Sequence, residues 1–248
     1  MSAQTIESLG AALEGRVVST IEDVIATMAF IDQSLGENDG LKWFNMLYAL
    51  VTQRIQTEVG AGKFANAAWI EQLDVIFARL YFEAVVAYER DPSTCPRAWR
   101  PVFQARFNGS IARLQFALAG MNAHINHDLA IAVVETCDTT NTEPKRETTI
   151  YRDYYAVNDV LEEVEAPAMQ TLATGFLHDA EVAMGRVDDM VAMWSIRHAR
   201  EAAWSNAEVL WALRDNELLY ETVIETMDRM AGFAGRGLLV PLGIGGTR

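Results

Sequence analysis

Residues 111–134 read IARLQFALAGMNAHINHDLAIAVV. The flanks of this run are apolar on every side and the run is long enough for a buried helix, so an all-α fold is expected to form around it. Its centre breaks the pattern. Gly120-Met-Asn-Ala-His-Ile-Asn-His-Asp128 brings Asn122, His124, Asn126, His127 and Asp128 within seven residues, in a place where periodicity calls for core. Imidazoles and a carboxylate are costly to bury unless each finds a hydrogen bond, an opposite charge or a metal. This stretch is therefore both the axis of the fold and the first candidate site.

Working outward, helical periodicity recurs on both sides. Ser19-Thr-Ile-Glu22 has capping-box spacing, and Ile21, Val24, Ile25, Met28 and Ile31 follow at helical intervals until Gly36. Residues 41–59 carry Trp43, Phe44, Leu47, Tyr48, Val51 and Ile55 on one side, and residues 67–90 repeat the pattern from Trp69 to Val85. A proline-rich connector, residues 92–101, leads to a short helix ending near Asn108-Gly109, after which Ser110 is placed to cap the central helix. The polar stretch 138–147 reads as an exposed loop. Beyond it the pattern predicts helices over 149–163, 167–186 with Pro167 in the first turn, 187–215 and 217–233, then a tail over 238–248. No alternating strand and no repeat of fixed period appears. The expected architecture is a single all-α domain over 1–248, an irregular bundle of eight or nine helices.

Composition narrows the partners. At 248 residues the chain can bury a core without staples, and its net charge of −14 opposes nucleic acid and anionic lipid surfaces. Cys95 and Cys137 are too few for a disulfide framework, which suits a reducing compartment. The N-terminus has no basic start or long apolar segment, and no stretch reaches the roughly 20 apolar residues needed to span a bilayer. The expectation is a soluble cytoplasmic protein with a small-molecule ligand, no nucleic acid and no membrane, a homodimer being only the commonest oligomer.

Three constellations carry chemistry-bearing residues. On a helix His124, His127 and Asp128 share one sector, and His178 and Glu181, spaced by three, form a second pair. Facing each other, His124, Asp128, His178 and Glu181 would offer N and O ligands to one divalent zinc, iron or manganese. Without metal, the His–Asp pairing is a general acid–base unit. The structural alternative has the imidazoles bonded to backbone carbonyls or to Asp128. The second constellation, Tyr151 to Asp159, offers Asp153 and Asn158 as further catalytic candidates and Tyr155 as a wall residue, or simply a solvated face. The third, Trp194, Arg197, Glu201 and Trp204, runs at steps of three and four; its arginine serves as a cation–π brace or binds an anion. Asn122, Tyr155, Trp194, Arg197 and Trp204 are the substrate-binding candidates. Comparison with zinc phospholipases and nucleases fails because no histidine precedes His124. Comparison with class I terpene cyclases fails because Asp188-Asp189 follows Asn158-Asp159-x-x-Glu162 instead of preceding it. Cys95 lacks a neighbouring histidine in sequence.

Gly120 to Leu129, Leu73-Asp74 with Phe77-Ala78-x-x-Tyr81-Phe82, Asp153 with Val157-Asn158, and the Arg197–Trp204 segment together resemble the bacterial domain-of-unknown-function 5995 proteins. The resemblance spans most of the chain and implies a helical protein of this size. It implies no activity.

The expected function is a small-molecule enzyme of cyclase, lyase or hydrolase type, in a setting such as secondary metabolism. It would use the His/Asp cluster in an aromatic-lined cavity, with or without metal. The rival is a non-catalytic ligand-binding or scaffold protein whose polar cluster fixes helix register.

Overall fold

A computed structural model of the chain describes residues 8–173 and 195–241. Among these the fold is all-α, a single helical domain without strands. The helices are α1 (Leu9–Glu14), α2 (Ile21–Ser34), α3 (Leu41–Gly60), α4 (Ala67–Arg90), α5 (Arg100–Ala105), α6 (Arg113–Ala123), α7 (Leu129–Thr139), α8 (Thr149–Ala173), α9 (Ile196–Leu213) and α10 (Glu217–Leu238). A five-residue π turn, His124–Asp128, joins α6 to α7, so the two make one interrupted rod.

That rod is the centre of the bundle. Every residue of α6 from Leu114 to Ala123 is buried, as an apolar helix without a polar face requires. α3 and α10 pack on α6, α4 and α9 pack on α7, and α4, α9 and α10 all reach the π turn. Gly120 permits the α3–α6 approach: a Cβ there would lie 2.4 Å from Cγ of Phe44.

Local chemistry moved several expected boundaries. The capping box of α2 is one residue later than Ser19/Glu22: Thr20 Oγ1 accepts the Asp23 N–H and the Asp23 carboxylate accepts the Thr20 N–H. Ser110 lies in a turn and does not cap α6; instead the Gln115 side chain accepts the Ala112 N–H and its amide donates to the Leu238 and Val240 carbonyls, tying α6 to the end of α10. The expected break before Pro167 is absent, and α8 continues to Ala173. α10 likewise runs past the expected stop at Phe233, because Gly232 and Gly235 serve packing: a Cβ on Gly232 would stand 2.5 Å from the Arg97 carbonyl oxygen. The short α1 was not anticipated. The remainder of the expected 167–186 helix, the start of the expected 187–215 helix, and most of the 238–248 tail lie outside the described residues. No described helix is long and apolar enough to cross a membrane.

Candidate functional site

The π turn decides how the polar cluster is presented. Its widened ring, closed by the Leu129 N–H donating to the His124 carbonyl, brings two imidazoles to one carboxylate. His124 Nδ1 lies 2.9 Å from Asp128 Oδ2, and His127 Nδ1 lies 2.6 Å from Oδ1. Trp99 Nε1–H donates to Oδ2 at 2.9 Å. Asp128 is only 2 % exposed, and an ionised carboxylate accepts and does not donate, so both Nδ1 atoms carry the protons. Burial opposes the Asp128 charge, but the hydrogen bonds from His124 and His127, with the positive field on the His127 side, outweigh it and hold the carboxyl below its ordinary range.

The two histidines then diverge. Burial would lower the basicity of His127, yet the bond and charge of Asp128, joined by Asp228 with Oδ1 at 3.8 Å from Nε2, hold it above the usual imidazole value. His124 is lowered, because burial outweighs the same carboxylate. It is therefore the neutral member. Its Nε2 is buried and has no hydrogen-bond partner. Around the ring stand Phe77, stacked at 3.4 Å between centroids, Tyr48 at 4.6 Å, Phe44 at 5.6 Å, Trp99 at 5.9 Å and Tyr81 at 6.3 Å.

His124 lines a cavity of about 70 Å³ formed between α3, α4, the α6–α7 rod, α8 and α9. Its walls are aliphatic and aromatic except at four places: His124, Tyr48, Asp74 and Arg200. The Tyr48 hydroxyl and Asp74 Oδ2 are buried and unpartnered, like His124 Nε2. Burial alone pushes the Asp74 carboxyl up to about 7, so protonated and ionised forms are comparable near neutral pH. Three polar side chains without a full set of partners thus line one small apolar cavity.

The other expected residues are placed as follows. Asn122 donates to the Ala231 carbonyl at 2.8 Å and accepts from Asn126 at 3.0 Å, fastening α10 to the rod. Asp153, expected as an acid–base residue, accepts the N–H groups of Ala65 and Asn66 at 3.1 and 2.6 Å and so secures the start of α4. Asn158 accepts from Arg200 Nε at 3.0 Å. Trp204 packs with Trp69, Tyr151 and Tyr154 and is fully buried without lining the cavity. Arg197 and Tyr155 meet on the outer surface, where the guanidinium also pairs with Glu162; they do not line the cavity either. His178, Glu181 and Trp194 lie outside the described residues, so the four-ligand metal set is described only at His124 and Asp128, which bond each other. Among the described residues no group of three His, Cys, Asp or Glu is arranged to hold a metal ion. Burial pushes the Cys95 thiol up to about 12, which removes it as a nucleophile.

Sequence reasoning did not select Asp74 and Arg200. Both signals were present: Asp74 falls one turn after Ile70 and three residues before Phe77, on the buried stripe of α4, and Arg200 falls one turn before Trp204.

A family model described as a family of unknown function (DUF5995) matches residues 21–241. The chain belongs to that family. The match takes in the rod, Asp74, Arg200 and every described cavity wall, so the site is part of the DUF5995 unit itself. No curated protein and no solved structure matches the chain.

Proposed function

We propose that this DUF5995 protein is an enzyme that performs acid–base chemistry on a small, largely apolar molecule held in the cavity beside His124. One observation carries the reading: a neutral, buried imidazole on the wall of the apolar cavity is anchored through Nδ1–H by a carboxylate, and its Nε2 has no hydrogen-bond partner. A carboxylate at Nδ1 fixes the tautomer and stabilises the imidazolium that forms when Nε2 takes a proton. Asp128 is thus a positioning residue and His124 the base. Asp74, raised to about 7, is suited in its protonated form to return a proton or to donate a hydrogen bond to a developing negative charge. The net charge of −14 and two buried unpaired thiols support a cytoplasmic protein without a nucleic-acid partner.

The test is a turnover screen over short-chain esters, hydroxy acids and oxo acids, followed by His124→Asn. The Asn amide stands where Nδ1 stood and keeps the bond to Asp128, but it removes the base. Loss of about 10²- to 10⁴-fold in kcat with an unchanged melting curve is expected. A variant that turns over at the wild-type rate overturns the reading in favour of a binding or scaffold role.

A further inference from the structure

The acid–base reading uses His124 and Asp74 on the cavity wall and leaves Arg200 without a role. Arg200 is 5 % exposed and lines the cavity from α9. Its Nε–H donates to Asn158 Oδ1 at 3.0 Å, one Nη2–H donates to the Tyr154 carbonyl at 2.7 Å, and the guanidinium lies 4.2 Å from the Tyr154 ring centre. All of these partners are neutral. Among the described residues no carboxylate comes within ion-pairing distance of it: the neighbouring Glu201 turns away to Arg146 and Tyr151, and Asp74 keeps Oδ2 unpartnered.

An arginine does not shed its charge, so a buried one without a counterion is an uncompensated cation costing several kcal/mol. Two of its five N–H groups are fixed to the protein, which orients the guanidinium. The fork geometry suits a planar carboxylate. One guanidinium balances one negative charge, which favours a monoanion over a phosphate dianion. The other walls, among them Leu47, Val51, Ile55, Ile70 and Leu73, call for an aliphatic body. The cavity of about 70 Å³ is roughly half the size of an engineered 150 Å³ cavity that admits benzene, so that body is a few carbons long.

Resting on the reading of this cavity as a substrate site, we propose that it binds short-chain aliphatic monocarboxylates, the carboxylate held by Arg200 and the hydrocarbon lying among the α3 and α4 side chains.

The experiment is a ligand-observed NMR titration of the full chain with propionate and butyrate, set against propionamide and butyramide. The expected result is that each acid binds at least tenfold more tightly than its amide, and that Arg200→Gln brings the acids down to the level of the amides. Equal binding of acid and amide by the wild-type protein, or no binding of either acid at millimolar concentration, overturns the proposal. The wild-type comparison decides the matter if Arg200→Gln does not fold. Acid selectivity with unimpaired turnover in His124→Asn would overturn the acid–base reading alone, and lost turnover without acid selectivity would overturn the carboxylate assignment alone.

Discussion

Asp74→Asn isolates a buried carboxyl without a counter-charge among the described residues. The side chain is buried, its Oδ2 has no partner, and burial raises it from an ordinary 3.8 to about 7. Between those two values the native state holds a proton that the unfolded chain has released. Native stability therefore falls as pH rises through this window, and the loss is complete above about 7. The gap of about three pH units, at about 1.4 kcal/mol each, corresponds to roughly 4 kcal/mol, with about half of it lost by pH 5.5. Asparagine keeps the shape and cannot ionise, so the variant escapes this loss. Urea unfolding followed by circular dichroism at pH 4 and pH 8 measures both proteins. The variant is expected to gain on the wild type by up to about 4 kcal/mol between the two conditions. Every other titrating group is common to both proteins and cancels in the difference. A gap that changes by less than about 1 kcal/mol over that range would refute the reasoning, because the carboxyl would then be ionised beside a partner or hydrated at ordinary cost.

Two further perturbations follow from the contacts of the rod and of α4. Trp99→Phe removes the N–H that Asp128 Oδ2 accepts but leaves an aromatic ring between Phe44 and Tyr81; a loss of about 1.5–3 kcal/mol is expected in urea unfolding, as for a hydrogen bond to a charged group. Asp153→Ala frees the Ala65 and Asn66 N–H groups and is expected to cost about 1–2 kcal/mol with kcat unchanged. A fall in kcat at unchanged stability would return Asp153 to the catalytic set.

The fold was legible because its strongest signal is periodicity, and α2, α3 and α4 bury the stripes that spacing drew, from Ile21 to Ile31, Phe44 to Ile55 and Trp69 to Val85. Ends were less legible, since they depend on partners distant in sequence. Gly232 reads as a stop until the Arg97 backbone is seen against it, and α6 begins at Arg113 with the Gln115 side chain at its start. In the site, His124 and Asp128 stood out because polar groups interrupt an apolar run. Asp74 did not, since a single acid on an amphipathic helix usually faces water. Arg197 drew attention over Arg200 because it completes a stripe with Trp194 and Trp204. It occupies the first turn of α9, where the guanidinium reaches Glu162 and Tyr155 on the outside of α8, whereas Arg200, one turn before Trp204, faces inward.

The π turn explains why two histidines were recruited where one would hold the carboxylate. In a regular helix residues 124 and 128 share a face, while 127 lies about a quarter-turn away. The extra residue in the ring lets both Nδ1 atoms reach Asp128. His127 is raised by Asp128 and Asp228 on its two sides, and Asp128 is lowered by its histidine partners, so His127 is the favoured counter-charge to the carboxylate. His124 can then stay neutral without leaving Asp128 an uncompensated anion in the core. The asymmetry leaves a buried acceptor bare on His124, which costs about 1–3 kcal/mol. Here the bare atom belongs to a residue of the cavity wall, and five aromatic rings surround its imidazole. A widened helical turn and an unpartnered buried nitrogen are both unfavourable for folding, and both fall on the imidazole that lines the cavity.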